Sequence, residues 1–178
     1  VKNVLVVETS PRRKDNSNAL AQAFAEGAQQ AGNHVEPAAV KQGHRVLRGL
    51  LGLPEDEIML VNHDKAEEAV QKIKDVDVVV FATPIYYYEM SGQMKTLLDR
   101  TNCLYTADYR FRDIYLLTTA ESTDPHTPEH AIGELEGLLK VFKKAQLKGT
   151  VFAGGTSDVG TIVGHPELEE AREMERRV

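Results

Sequence analysis

An apolar, largely β-branched run, Val4-Leu5-Val6-Val7, breaks after Glu8 into the polar segment Thr9-Ser10-Pro11-Arg12-Arg13-Lys14-Asp15-Asn16-Ser17-Asn18 and passes straight into a helical pattern. Leu20, Ala23, Phe24, Gly27, Ala28 and Ala31 recur every three or four residues, so one apolar face of that helix lies on a core. A strand buried on both faces and feeding a helix through so short a connection belongs to a layered α/β architecture. The connection itself falls at the helix N-terminus, where unpaired backbone N–H groups and the positive end of the helix dipole converge. Ser10, Asn16 and Ser17 add polar groups there, and Arg12 and Arg13 add charge. Two readings fit the segment: a cradle for a phosphate ester, or an ordinary Ser/Asn helix cap beside a solvated basic cluster.

What the loop lacks narrows the ligand. A dinucleotide turn needs glycines so that backbone can approach a pyrophosphate, and a P-loop needs Gly-Lys-Ser/Thr; Glu8 to Asn18 contains no glycine. A thiolate phosphatase loop is excluded because the single cysteine, Cys103, lies far downstream. The phosphate reading therefore means a monophosphate held through side chains.

Composition sets the frame. A length of 178 residues with 42% hydrophobic content suits one domain spanning 1–178. No apolar run approaches a membrane span and no leader pattern opens the sequence, so a soluble cytoplasmic protein without a membrane partner is expected. One cysteine excludes a disulfide framework and a multi-cysteine metal site. A net charge of -6 argues against nucleic acid as partner and makes Arg12, Arg13 and Lys14 a local feature.

Strand and helix patterns then alternate. His34 to Val40 reads as a second strand, with Pro37 placing it at an edge. Asp64 and Glu67 stand at capping-box spacing before a helix reaching Lys74, whose inner face is Ala66, Ala69, Val70 and Ile73. Val76 to Ala82 is the most apolar strand and belongs in the sheet centre. Ser91 caps a helix carrying Met94, Leu97 and Leu98, on which Cys103 reads as a small buried hydrophobe. Ile114 to Thr119 is a fourth strand, and Ile132, Leu135, Leu138, Leu139 and Phe142 line a fourth helix. Gly149 to Ala153 is a fifth strand, and Pro166 opens a last helix with a charged face of Glu169, Arg172, Glu173 and Arg177. Five strands alternating with five helices predict a doubly wound parallel sheet with helices on both faces.

Ligands of such sheets bind beyond the carboxyl ends of the strands, where the order reverses. Order 2-1-3-4-5 brings together Thr9 to Ser17, Thr83 to Ser91 and Ala120 to Thr127. The second of these carries Pro84-Ile85-Tyr86-Tyr87-Tyr88, which offers flat amphipathic surface to a planar heterocycle or, alternatively, rim aromatics to an interface. Phosphate loop and tyrosine loop together point to a mononucleotide with a large ring. His126 and His130, in or just after the third loop, are placed to touch a substrate or, as lone loop histidines more often are, simply to be solvated.

These residues carry a resemblance. Ser10-Pro11-Arg12-Arg13 with Asn16-Ser17, Ala82-Thr83-Pro84-Ile85-Tyr86, Met90-Ser91-Gly92-Gln93-Met94-Lys95, Asp99-Arg100, Ala153-Gly154-Gly155 and Gly160-Thr161-Ile162 with His165-Pro166-Glu167-Leu168-Glu169 resemble the flavodoxin-like NAD(P)H-dependent FMN reductases and their iron-sulfur flavoprotein relatives. The resemblance implies a flavodoxin-like fold and bound FMN. It assigns the FMN phosphate to Ser10, Arg12, Asn16 and Ser17, and the isoalloxazine edge to Pro84, Ile85, Tyr86 and Tyr87. It further implies NADPH or NADH as reductant, a quinone, flavin or similar small molecule as electron acceptor, and a homodimer or larger homo-oligomer. A flavodoxin-type electron carrier is the alternative within the same fold. A phosphoryl-accepting receiver domain is disfavoured because Ala82-Thr83 stands where its aspartate would be.

The sequence departs from the family pattern in two places. Thr9 and Asp15 replace customary glycines. Leu47, Leu50 and Leu53 stand at the Cys-x-x-Cys-x-x-Cys positions of the iron-sulfur relatives, with Met59 near a fourth. Aliphatic and thioether groups supply no thiolate, so no iron-sulfur cluster is expected.

Overall fold

The computed structural model describes residues 1–12, 14–40 and 64–174. In chain order the elements are β1 (Asn3–Glu8), α1 (Asn16–Gln30), β2 (His34–Ala39), α2 (Lys65–Asp75), β3 (Val78–Tyr86), β4 (Glu89–Met90) and α3 (Gly92–Arg100). A 3-10 turn (Thr101–Leu104), β5 (Asp113–Thr119), α4 (Glu129–Leu139), β6 (Gln146–Ala153) and α5 (Glu167–Met174) complete them. The parallel strands run in the order β2-β1-β3-β5-β6, and β4 folds back antiparallel on the end of β3. Counting only the parallel strands, this is the predicted 2-1-3-4-5 arrangement.

The alternation of side chains along each strand explains the two layers. Leu5 and Val7 of β1 join Val79, Phe81, Ile114 and Leu116 on one face, covered by Ile73 of α2, Leu97 of α3 and Leu135 of α4. Val4 and Val6 join Val78, Val80, Tyr115 and Val151 on the other, covered by Leu20 and Phe24 of α1 and Ala171 of α5. Phe24 packs against the Tyr115 ring at a centroid distance of 5.1 Å. Each large side chain so buried stabilises the fold by about 1.5–3 kcal/mol.

Local signals in the sequence act as read. Asp64 Oδ1 accepts from the Glu67 amide at 3.0 Å and starts α2, while Ser91 Oγ accepts from the Met94 amide at 3.2 Å and starts α3. Among the described residues strand β2 pairs only with β1, which leaves Pro37 on the edge. Several boundaries differ, with β3 beginning at Val78 and β6 at Gln146. Strand β3 runs on to Tyr86 because the Pro84-Ile85-Tyr86 stretch pairs with β5 and β4. Phe142 lies past the end of α4 yet is buried against Tyr109 and Phe111, since the turn after the helix folds back onto that cluster. Cys103 sits in the 3-10 turn, half-buried, and burial pushes its thiol pKa upward.

The amino end of the sheet is tied by Asp77. Its carboxylate accepts from the Asn3 amide at 2.8 Å and from Arg110 Nε at 2.7 Å. Burial works against the charge, but these donors outweigh it and hold the Asp77 carboxyl below its ordinary pKa. The opposite, carboxyl end of the sheet is left to loops.

Candidate active site

At that carboxyl end a cleft of about 330 Å³ opens between four loops. Arg12 and Asp15 come from the connection after β1, Pro84 to Tyr87 from the end of β3, Thr119 to Glu121 from the end of β5, and Thr156 and Ser157 from the segment after β6. Buried hydroxyl groups hold the first two loops together beneath the cleft. Thr9 Oγ1 lies 3.3 Å from Ser91 Oγ, Thr83 Oγ1 lies 3.0 Å from the same atom, and the Thr9 amide donates to the Ala82 carbonyl at 3.1 Å. Thr9, Thr83 and Ser91 are all fully buried, so this network fixes the loop separation rather than contacting a ligand.

The phosphate-loop residues divide by position. Arg12 lines the cleft and reaches the Ser157 carbonyl at 3.4 Å through one guanidinium nitrogen. Ser10 is buried behind it and gives its hydroxyl hydrogen to Asp15 Oδ2 at 2.5 Å. Ser17 is buried in the first turn of α1. The Asn16 side chain turns away from the cleft. Its Nδ2 donates to the Asp158 carbonyl at 2.8 Å, and its Oδ1 accepts from the Gly160 amide at 3.0 Å. Asn16 thereby pins the segment after β6 to the start of α1, and what it has left to offer a ligand is its backbone N–H. Asp15 is the N-cap residue, but its side chain accepts no first-turn amide, so the open end of α1 still presents Asn16, Ser17 and Asn18 N–H groups. Arg13 lies outside the described residues.

The tyrosine loop is a hairpin. Tyr87 and Tyr88 adopt φ of 52° and 67° between β3 and β4, a left-handed turn that normally takes asparagine or glycine. Holding two aromatic residues there costs conformational energy and projects their rings outward: Tyr87 is 99% exposed. Tyr86 stays partly covered. Burial first, then the negative charge of Asp15, push its phenol pKa up, against the opposing pull of Arg12. His130, on α4, meets Glu89 of the hairpin at 3.0 Å, and His126 meets Glu129 at 2.5 Å; the Glu129 contact raises the His126 pKa. Both histidines are exposed.

Of the eight residues that the resemblance assigns to FMN, Arg12, Pro84, Ile85, Tyr86 and Tyr87 line the cleft, and Ser10, Asn16 and Ser17 are buried outside its lining. Asp15 and Glu121, in loops expected at this edge but not assigned to the ligand, also line the cleft, and Thr156 and Ser157 line it from a segment the sequence reading did not bring there. The Gly154-Gly155 pair holds the missed signal. A Cβ on Gly154 would lie 2.6 Å from the Ser122 carbonyl oxygen, so glycine lets the fourth loop close against the third. Among the described residues no group of three or more His, Cys, Asp or Glu side chains is placed to hold a metal ion. The Leu47-to-Met59 stretch lies outside the described residues.

A parallel sheet in this order, with its cleft where the order reverses, defines a flavodoxin-like α/β protein, and solved structures share the fold. An azoreductase from Bacillus anthracis str. Sterne aligns over 100% of both chains at 18% identity with a TM-score of 0.72. An NAD(P)H:quinone oxidoreductase from Methanothermobacter marburgensis aligns over 99% of this chain and 96% of its own at 19% identity and TM-score 0.66. An FMN-dependent NADH-azoreductase from Bacillus anthracis str. Ames Ancestor, solved in complex with FMN, aligns over 98% of both chains at 16% identity and TM-score 0.69. Residues 3–154 match the family described as NADPH-dependent FMN reductase, and the chain belongs to that family. It is accordingly an NAD(P)H-dependent oxidoreductase that uses FMN. The match stops at Gly154, so Thr156, Ser157 and α5 lie beyond it. Among the described residues no helix is long and apolar enough to cross a membrane.

The residues of the cleft fit FMN. A guanidinium at one end suits a phosphate, and a proline-stiffened strand end with aromatic side chains suits a flat ring system. Two carboxylates in the lining, Asp15 and Glu121, oppose this fit.

Proposed function

We propose that this protein passes electrons from NADPH or NADH to a small acceptor such as a quinone or a free flavin. FMN sits with its phosphate against Arg12 and the Ser10–Ser17 loop, and with the edge of its isoalloxazine along Pro84 to Tyr87. The convergence of Arg12 and the Pro84–Tyr87 strand end on one cleft supports this reading. When bound, FMN supplies hydride acceptance at N5 and onward electron transfer. The chain's own part is to bind, orient and expose. Arg12 provides the charge that reads the phosphate, the Thr9–Thr83–Ser91 hydroxyl network sets the spacing of the two loops, and Asn16 holds the fourth wall in place. The fold neighbours include an azoreductase and a quinone oxidoreductase, which is compatible with an acceptor pocket open to small planar molecules.

Anaerobic mixing of the FMN-loaded protein with NADPH or NADH tests the reading. The visible flavin absorbance should bleach within minutes, and steady-state rates against a quinone should give parallel double-reciprocal lines. Bleaching by dithionite but by neither nucleotide would replace the reductase with the flavodoxin-type carrier.

We further propose a homodimer or larger symmetric assembly, formed through the tyrosine hairpin. Tyr86, Tyr87 and Tyr88 are exposed together, and an aromatic patch of this kind gains from cover by a second copy. Sedimentation at micromolar concentration should show at least a dimer, weakened by Tyr87→Ser. A monomer carrying bound FMN refutes the assembly while leaving the cofactor reading intact.

A further inference from the structure

The cleft that suits a phosphate also contains a buried carboxylate. Asp15 is 6% exposed, lines the cleft beside Arg12 and Tyr86, and sits at the N-cap of α1 without accepting from the first-turn amides. It takes the Ser10 hydroxyl instead, at 2.5 Å. Ser10 Oγ in turn accepts from the Arg12 amide at 3.3 Å. A hydroxyl has one hydrogen to give, and here Asp15 has it, so Ser10 in this arrangement offers an incoming phosphate no donor. The charge matters as much as the bond. Arg12 is the one cation among the described residues lining the cleft, and Asp15 and Glu121 both face it with opposite sign. The field of Asp15 extends to the ring end of the site, where it helps raise the Tyr86 phenol.

We propose that Asp15 acts as an internal anion that competes with the flavin phosphate for Ser10 and for the field of Arg12, making FMN an exchangeable occupant rather than a tightly held one. Asp15 is thus a specificity-determining residue: it sets how strongly the site distinguishes a phosphorylated flavin from an unphosphorylated one. A phosphate entering the cleft must either displace the carboxylate from Ser10 or accept its repulsion, whereas riboflavin meets neither cost. The inference rests on the FMN reading above.

Fluorescence titration of the full chain with FMN and with riboflavin tests it. The parent should prefer FMN by less than about tenfold, below the usual strength of a charge-assisted phosphate contact. Asp15→Asn removes the charge while keeping an acceptor for Ser10, and Asp15→Ala, which the φ of -71° at this position tolerates, also releases the hydroxyl. Either variant should bind FMN roughly tenfold more tightly, with riboflavin changed by no more than about twofold. A thermal melt identifies any variant that fails to fold, and the parent's own ratio stands independently of both. A parent that prefers FMN a hundredfold or more, or folded variants that keep the parental ratio, would overturn the role of Asp15 while leaving the FMN site standing. Binding of neither flavin by the parent would instead remove the cofactor reading, and this inference with it.

Discussion

Arg12→Ala is expected to weaken FMN binding by about ten- to a hundredfold while leaving riboflavin nearly unchanged. The magnitude follows from the loss of a charge-assisted contact, worth about 1.5–3 kcal/mol, in a cleft where no other described cation takes its place. The variant also leaves the Asp15 carboxylate without its nearest opposing charge on the cleft wall. The net preference should therefore invert, with riboflavin bound at least as tightly as FMN. Among the described residues the Arg12 side chain makes only a long hydrogen bond to the Ser157 carbonyl, at 3.4 Å, so the substitution should disturb the fold little. Parallel titrations of both flavins, with a melting curve as control, provide the measurement. Equal losses for the two ligands would show that Arg12 does not read the phosphate.

Gly27→Ala is expected to destabilise the protein by about 2 kcal/mol, although alanine is the better helix former. Two effects oppose one another. Mid-helix glycine costs roughly 1 kcal/mol relative to alanine, so the substitution starts with a gain. At this position of α1, however, a Cβ would lie 1.9 Å from the Arg172 carbonyl oxygen and 2.8 Å from its carbonyl carbon. That neighbour is backbone and has no rotamer through which to withdraw, so α5 must shift as a body. Overpacking of this kind costs about 1–3 kcal/mol or more, and a 1.9 Å approach to backbone puts the cost at the upper end of that range, where it outweighs the gain. The shift would also strain the contact of Arg172 with Glu26, at 3.0 Å. Gly137→Ala on α4 is the matched control: nothing lies within 4 Å of its Cβ position, so it should gain up to about 1 kcal/mol. Urea denaturation of the two variants should move in opposite directions. A stabilised Gly27→Ala would mean that α5 packs less closely on α1 than described.

The layer structure was legible in the sequence because it follows from local periodicity. Val4 to Val7 and Val78 to Ala82 are apolar on both faces, which only a sheet covered on both sides satisfies. The apolar stripes of α1, α2 and α3, and the caps at Asp64 and Ser91, are likewise short-range patterns whose physics lies within a few residues of chain. The same holds for the end of the sheet at which Arg12 and the Pro84–Tyr87 strand end lie, because a loop that follows a strand of a parallel sheet emerges at its carboxyl edge.

Partners far apart in the chain were decided only in three dimensions. Asn16 has the composition of a phosphate ligand, yet its side chain is spent on Asp158 and Gly160, residues that reach it only once β6 lies beside β5. Ser10 looks like a donor and has given its hydrogen to Asp15, a pairing at a separation of five residues that no helix or strand period signals. The fourth wall of the cleft, Thr156 and Ser157, follows a strand whose place at the sheet edge no local pattern specifies. The sequence by itself thus determined which elements form and which end of the sheet bears the site, since both follow from the period and polarity of short segments. Which polar groups remain available to a ligand was decided by the tertiary structure, because each hydrogen-bonding group is claimed by whichever partner the completed fold brings within reach.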